Sequence, residues 1–263
     1  MFLKVFDRYQ TRRQGTGLAK LLLLLLLLST NSIAKINTVY VCSPYKSAPF
    51  IIDAQQRLGL IYTFTDFLNQ QAQGAYHFEV LILPRARLLK TLAMSTDCIV
   101  PFVSHQWFDP DKQQYYWSQA IIKDANVILS RHDLKLESIA KAQVSGLITS
   151  QVIGFLDGQI EALVAAGNLV AVNATSLEQS VKMLASQRID FLVSGQMPLQ
   201  YLVQKLQLQD QLYISNNATL YFDRAVLIAK SKPRLSTFIE QKISDLKAAS
   251  HWQNTLQALG INN

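Results

Sequence analysis

The chain has 263 residues, with 25 Lys and Arg against 18 Asp and Glu and a formal net charge of +7. Five of those bases and one acid lie in the first 34 residues, so the remainder carries about +3 and no run of Lys or Arg that could track a phosphate backbone. Nucleic-acid binding is thereby set aside, and about 229 residues remain, enough for one large or two small domains.

At the N-terminus Lys4, Arg8, Arg12, Arg13 and Lys20 precede eight consecutive leucines, Leu21 to Leu28, and then the small-polar run STNSIA. A charged segment, a short apolar core and Ser32 and Ala34 in small positions predict a signal peptide over 1–34, cleaved after Ala34, and delivery to the periplasm. The apolar core falls short of the roughly 20 residues of a spanning helix; a retained anchor is the alternative. Arg12-Arg13 hints at a twin-arginine signal, but Gly15 and Thr16 stand where bulky apolar residues belong, so the general secretory route is expected.

From Lys35 onward short apolar runs alternate with segments of helical period. The strand-like runs are 36–42, 77–83, 97–103, 142–148, 168–173 and 189–194. Between them, Leu58 to Gln73, Arg85 to Met94, Gly154 to Ala166, Ser176 to Gln187 and Met197 to Gln207 read as helices. This alternation predicts an α/β fold with a mostly parallel sheet and covering helices. The pattern occurs twice: HFEVLIL leads through a helix to LAMSTDCIV, and NLVAVN leads through a helix to LASQRIDFLV. Two long extended stretches, 118–130 and 218–230, fit strands crossing between two lobes. The expected division is lobe one over 35–122 and 218–263 and lobe two over 123–217. The segment from Pro233 to Leu259 reads as terminal helices returning to lobe one, with Pro233 near the first turn.

Cys42 and Cys98 each sit in an apolar strand-like run. Two buried thiols are the simpler reading, and a disulfide stays open. The four histidines are scattered, so neither a metal nor a cofactor is expected. G-x-S-x-G, H-E-x-x-H and Gly-rich phosphate loops are all missing from the sequence. The acids Asp53, Asp109, Asp111 and Glu161 form no recognisable catalytic pair, and the chain is read as a non-enzyme.

Trp107 to Ala120, WFDPDKQQYYWSQA, interleaves five rings with Asp109, Asp111 and Lys112 in a Pro-broken segment. Rings in such a setting either fill a groove or line one. Ser47-Ala48-Pro49-Phe50 looks like a Pro-Pro-Phe corner after a first strand, and Gly59 and Asp66 fall at the entry to the following helix. PRARLL, Pro84 to Leu89, is similar to a proline-aromatic-x-Arg-Ala-Leu turn; Ser118 matches the serine of a Phe-Ser-x-Pro-Tyr element, and Arg188-Ile189-Asp190 matches Gly-Arg-Ile-Asp.

Together these residues resemble the periplasmic solute-binding proteins of the polar amino-acid class, family 3 of the bacterial extracellular binding proteins. The resemblance spans nearly the whole chain after residue 34. It implies a two-lobed type II periplasmic binding fold joined by two crossover strands, a monomer that closes on a small-molecule ligand, and an ABC transporter permease or membrane sensor as partner. It places the ligand site at Tyr45, Phe50, Arg85, Arg87, Trp107, Lys112, Ser150 and Gln151, the last two on a strand-to-helix turn of lobe two. Two departures bear on the ligand. Lys112 stands where the family's arginine grips a carboxylate, and lysine has no fork. Gly195 stands where its acid pairs with an α-amino group. A small polar or anionic ligand is therefore expected. Alternatives are a docking protein that binds no ligand, or a periplasmic enzyme of dehydratase or lyase type on the same scaffold.

Overall fold

The protein is described by a computed structural model covering residues 37–152 and 158–261. The predicted leader over 1–34 and Gly154 lie outside the described residues. Among the described residues no helix is long and apolar enough to cross a membrane.

The chain opens with β1 (Asn37–Ser43), α1 (Leu60–Gln71), β2 (Tyr76–Ile82), α2 (Arg85–Met94) and β3 (Cys98–Val103). A short helix α3 (His105–Phe108) and a three-residue strand β4 (Tyr115–Trp117) lead into β5 (Ile122–Arg131). Next come α4 (Lys141–Val144), β6 (Ile148–Val152), α5 (Gly158–Ala165), β7 (Val170–Ala174), α6 (Leu177–Ala185), β8 (Phe191–Gly195) and α7 (Gln196–Lys205). The 18-residue strand β9 (Leu212–Ala229) then precedes α8 (Pro233–Ala248) and α9 (Ser250–Ala258).

Across the sheet the order is β2-β1-β3-β9-β5-β8-β6-β7, with β4 paired to β9. Read inward from either end, the sequence-first strand of each set lies between its second and third, and a long antiparallel strand follows. The doubled strand-helix-strand pattern is thus a topological repeat, with β2-α2-β3 answering β7-α6-β8. β1 runs parallel to β2 and β3, and β6 parallel to β7 and β8. Helices and loops cover both faces. On the first set of strands one core holds Phe64, Phe102 and Trp252, and another holds Leu88, Val100 and Leu227; on the second set one holds Val181 and Leu199, and another Ile128 and Phe191.

Two expectations need correction. The run 142–148 is not a strand: Lys141–Val144 is a helical turn, Gly146 reverses the chain at φ 81°, and the strand begins at Ile148. Cys42 and Cys98 are joined rather than free thiols. Tyr40 is the register partner of Cys98, so Cys42 lies two residues further along the same face of β1, and the two Cα atoms come within 5.8 Å.

Helix α1 buries Leu60, Ile61, Phe64, Phe67 and Leu68, the stripe expected at helical period. Its first N–H groups are satisfied by the corner that precedes it, Leu60 N donating to Pro49 O and Ile61 N to Phe50 O. The close approach depends on Gly59, at φ 125°, where a Cβ would fall 2.5 Å from Phe50 O. Gly59→Ala is expected to lower unfolding free energy by well over about 1 kcal/mol, because both the dihedral and the contact forbid a side chain; urea unfolding measures it.

The ring-rich segment divides its labour. Tyr115, Tyr116 and Trp117 are half-buried in β4 against β9, with Tyr115 and Trp117 packed on the Leu88–Val100 core. Asp109, 2% exposed, ties the loop together: its carboxylate accepts from the backbone N–H of Gln113, Gln114 and Tyr115 and from Trp117 Nε1, at 2.9 to 3.1 Å. Burial raises the pKa of this carboxyl, but the bonds from Trp117, Tyr115, Gln113 and Gln114 outweigh it and hold it below the usual range. A depressed folded pKa means stabilisation that is full above the unfolded value, about 3.9, and lost as pH falls through the folded value. Asp109→Ala is expected to cost about 2–4 kcal/mol at neutral pH, since it orphans buried donors, and the deficit shrinks below about pH 4; denaturant titrations at pH 7 and pH 3 test both statements.

Candidate functional site

The C-terminal ends of the parallel strands are where an open α/β sheet presents loops and helix starts to a ligand. Here both sets of strands turn those ends toward a common cavity of about 580 Å³. That volume suits a small metabolite, for which roughly 300–1,000 Å³ is usual.

The loop after β1 supplies Tyr45, Lys46 and Phe50, the start of α2 supplies Arg85, and the helix after β3 supplies Trp107 and Phe108. Facing them are Ser150 and Gln151 from β6, Val193 and Gly195 from β8, and Leu177 and Ser180 from α6. The crossing strands form the floor with Asn126, Phe222 and Arg224. Among the described residues that line the cavity there are three cations, Lys46, Arg85 and Arg224, and no carboxylate.

Six of the eight expected site residues meet here: Tyr45, Phe50, Arg85, Trp107, Ser150 and Gln151. Ser150 and Gln151 lie on the end of strand β6 rather than on the turn beyond it. The Ser150 hydroxyl is buried without a partner, an available donor or acceptor at the cavity wall. Arg87 and Lys112 are not in the lining. Arg87 is exposed on α2, two residues and about 200° of helix turn beyond Arg85, and Lys112 is exposed at φ 54° in the turn that Asp109 holds. Arg85 is pinned to the rim: Nη2 donates to Trp107 O at 2.7 Å and the guanidinium lies 4.6 Å from the Phe108 ring centre.

The floor holds what the sequence reading missed. Arg224 is 3% exposed and Asp124 5% exposed. Arg224 Nε donates to Asp124 Oδ2 at 2.7 Å, and Nη2 lies 2.6 Å from the same oxygen. Nη1 donates to Tyr45 Oη and to Phe102 O, each at 2.9 Å. The other oxygen, Asp124 Oδ1, accepts from Ala125 N and from Met197 N in the first turn of α7. Burial pushes the Tyr45 hydroxyl up and Arg224 offsets this only in part, so the phenol stays neutral at pH 7, donating to Phe102 O at 2.7 Å.

A signal for this pair exists in the sequence. In LYFDRAVLI, Phe222, Arg224 and Val226 share one face of a strand, and in IIKDANVIL, Ile122, Asp124 and Asn126 do the same. A charge at an inward position of an apolar strand needs a partner. The register makes Ile122 the neighbour of Arg224 and Phe222 the neighbour of Asp124, so the two charges meet diagonally.

No family model matches the chain, and no curated protein matches it significantly in sequence. Solved structures do match its fold. The GluR0 ligand-binding core from Nostoc punctiforme in complex with L-glutamate superposes with a TM-score of 0.65 at 13% identity, over 84% of this chain and 98% of that one. The unliganded, open L-cystine solute receptor of Neisseria gonorrhoeae gives 0.60 at 20% identity, over 85% and 91%. A histidine kinase sensor domain with similarity to periplasmic binding proteins gives 0.63 at 14% identity, over 85% and 96%. The chain therefore has the two-lobed periplasmic-binding-protein fold that its sequence motifs resemble.

Proposed function

We propose that this protein is a solute receptor that closes its two lobes, 35–122 with 218–263 and 123–217, around a small polar or anionic ligand outside the cytoplasm. The carrying observation is the cavity at the facing strand ends, whose described lining offers Lys46, Arg85 and Arg224 without a carboxylate and sets them among apolar and aromatic walls. Such a lining attracts anions and gives a ligand ammonium no counter-charge. Contacts from both lobes supply the differential affinity that drives closure. The Cys42–Cys98 disulfide fits an oxidising compartment.

The receiver of the closed form is an ABC transporter permease or a membrane sensor. The likeness to a cystine receptor supports the first and the likeness to a kinase sensor domain supports the second.

A thermal-shift panel of the purified protein against benzoate, phenylacetate, succinate, glutarate, phosphate, L-arginine, L-lysine and neutral amino acids tests the reading. At about 100 times its dissociation constant a true ligand stabilises by roughly 2.7 kcal/mol. Hits are expected among the organic anions, and Arg85→Ala is expected to weaken the best of them about tenfold by calorimetry, with the affinity falling further as salt rises. A panel that answers only to arginine and lysine would overturn the anionic reading.

A further inference from the structure

Four rings converge on the Arg224 guanidinium. Its central carbon lies 4.8 Å from the ring centre of Phe50, 5.1 Å from Phe222, 5.3 Å from Trp107 and 5.8 Å from Tyr45. Tyr45 and Phe50 stack on each other at 3.9 Å, and Trp107 meets Phe222 edge to face at 5.0 Å, so the rings come as two preassembled walls. Asp124 closes the inner end with Oδ2, and Tyr45 Oη and Phe102 O take the Nη1 hydrogens. Aromatic faces around a carboxylate are the chemistry of a site for an organic cation, a guanidinium best of all because its planar fork also matches the acceptors. The occupant is the protein's own side chain.

One edge of that side chain lies beside Gly195 at the cavity wall. Nη2 is 2.6 Å from Asp124 Oδ2, and among the described residues no second acceptor serves it. The space beside it is kept open by Gly195, where a Cβ would lie 3.2 Å from Nη2.

We propose that Arg224 is the specificity-determining residue of the cleft: it permanently fills a cation cage built from Asp124, Tyr45, Phe50, Trp107 and Phe222, excludes guanidinium and ammonium ligands from it, and offers its Nη2 edge beside Gly195 to the anionic group of the ligand. The inference rests on the reading of the cavity as the ligand site. It accounts for a buried carboxylate and four rings gathered behind a cavity lining whose charges are all positive among the described residues. It also assigns Gly195 a role, since any side chain there would compete with the ligand for the same edge.

The test is chemical rescue. Arg224→Ala vacates the cage and leaves Asp124 buried without its partner, so the variant is expected to melt lower than the unaltered protein. Methylguanidinium chloride at low millimolar concentration is expected to raise its melting temperature by several degrees, methylammonium chloride far less, and neither to raise that of the unaltered protein. Asp124→Asn combined with Arg224→Ala is expected to abolish the response. A folded Arg224→Ala protein, judged by circular dichroism, that ignores methylguanidinium would overturn the cage.

If Arg224→Ala does not fold even with methylguanidinium, Gly195→Asp and Gly195→Asn decide. Gly195 caps α7 at φ −57°, a backbone conformation open to either side chain, and the crowding a Cβ meets there, 3.2 Å from Arg224 Nη2 and 3.4 Å from Asp124 Oδ2, is the same for both variants. An open Nη2 edge predicts a higher melting temperature for the aspartate than for the asparagine variant at pH 7, with the difference vanishing as the carboxyl protonates, and tighter organic-anion binding by the unaltered protein than by the aspartate variant. Equal melting temperatures would overturn the assignment. Methylguanidinium reports on the cage alone, so its failure leaves the cleft as ligand site, whereas silence across the anion panel refutes that site and leaves the cage intact.

Discussion

Asp124 and Arg224 are buried together where, among the described residues, β5 and β9 join the two lobes. Residues Ile122 to Ala125 of β5 pair with Tyr221 to Arg224 of β9 and, in this stretch, with nothing else in the sheet. Ile122, Ala125 and Phe222 bury apolar surface there. The ion pair adds directional contacts, and it recruits both lobes: Arg224 reaches Tyr45 and Phe102 in the first, and Asp124 reaches the start of α7 in the second. Removing either charge would leave the other desolvated and unpaired, a cost of about 3–5 kcal/mol. Arg224 also forms part of the cavity floor, with Asp124 holding it from behind, so the pair that ties the lobes together also positions a cation at the base of the cavity.

The loop after β3 shows how a polar segment can carry so many rings without becoming sticky. Asp109 gathers four donors from residues 113 to 117 and thereby fixes β4 against β9. With that frame in place Trp107 is free to face the cavity while Tyr115 and Trp117 face the core behind it. Lys112 is carried outward by the same turn, which is why a position chosen from a motif lands on the surface.

How much of this could be read from residues alone follows from the range over which each feature is encoded. The doubled strand-helix-strand pattern is local, written in hydrophobic period over about thirty residues, and it led to the right fold. Tyr45, Phe50 and Trp107, placed by the family resemblance, all line the cavity because each lies just beyond the C-terminal end of a strand. Arg87 lies outside the cavity lining while Arg85 is in it, because a two-residue step on a helix turns the side chain by about 200°, a detail that a turn motif does not carry. β4, three residues long, leaves almost no periodic trace. The disulfide depended on strand register, and the Asp124–Arg224 pair on two positions 100 residues apart; neither quantity is local. Yet the inward phase of both charges was visible in the two long strands, and asking where each finds its partner would have brought them together.

β9 is a single unbroken strand that belongs to both lobes. Lobes linked by loose tethers could swivel, slide and separate independently. A paired ribbon running through the junction stretches and shears poorly, because both deformations break ladder hydrogen bonds, but a two-stranded ribbon changes its twist readily. Torsion about the ribbon axis is therefore the deformation that costs the fewest ladder hydrogen bonds at this junction. An arrangement of that kind has the character of a torsion spring rather than a hinge pin: the resting angle is written into the backbone itself.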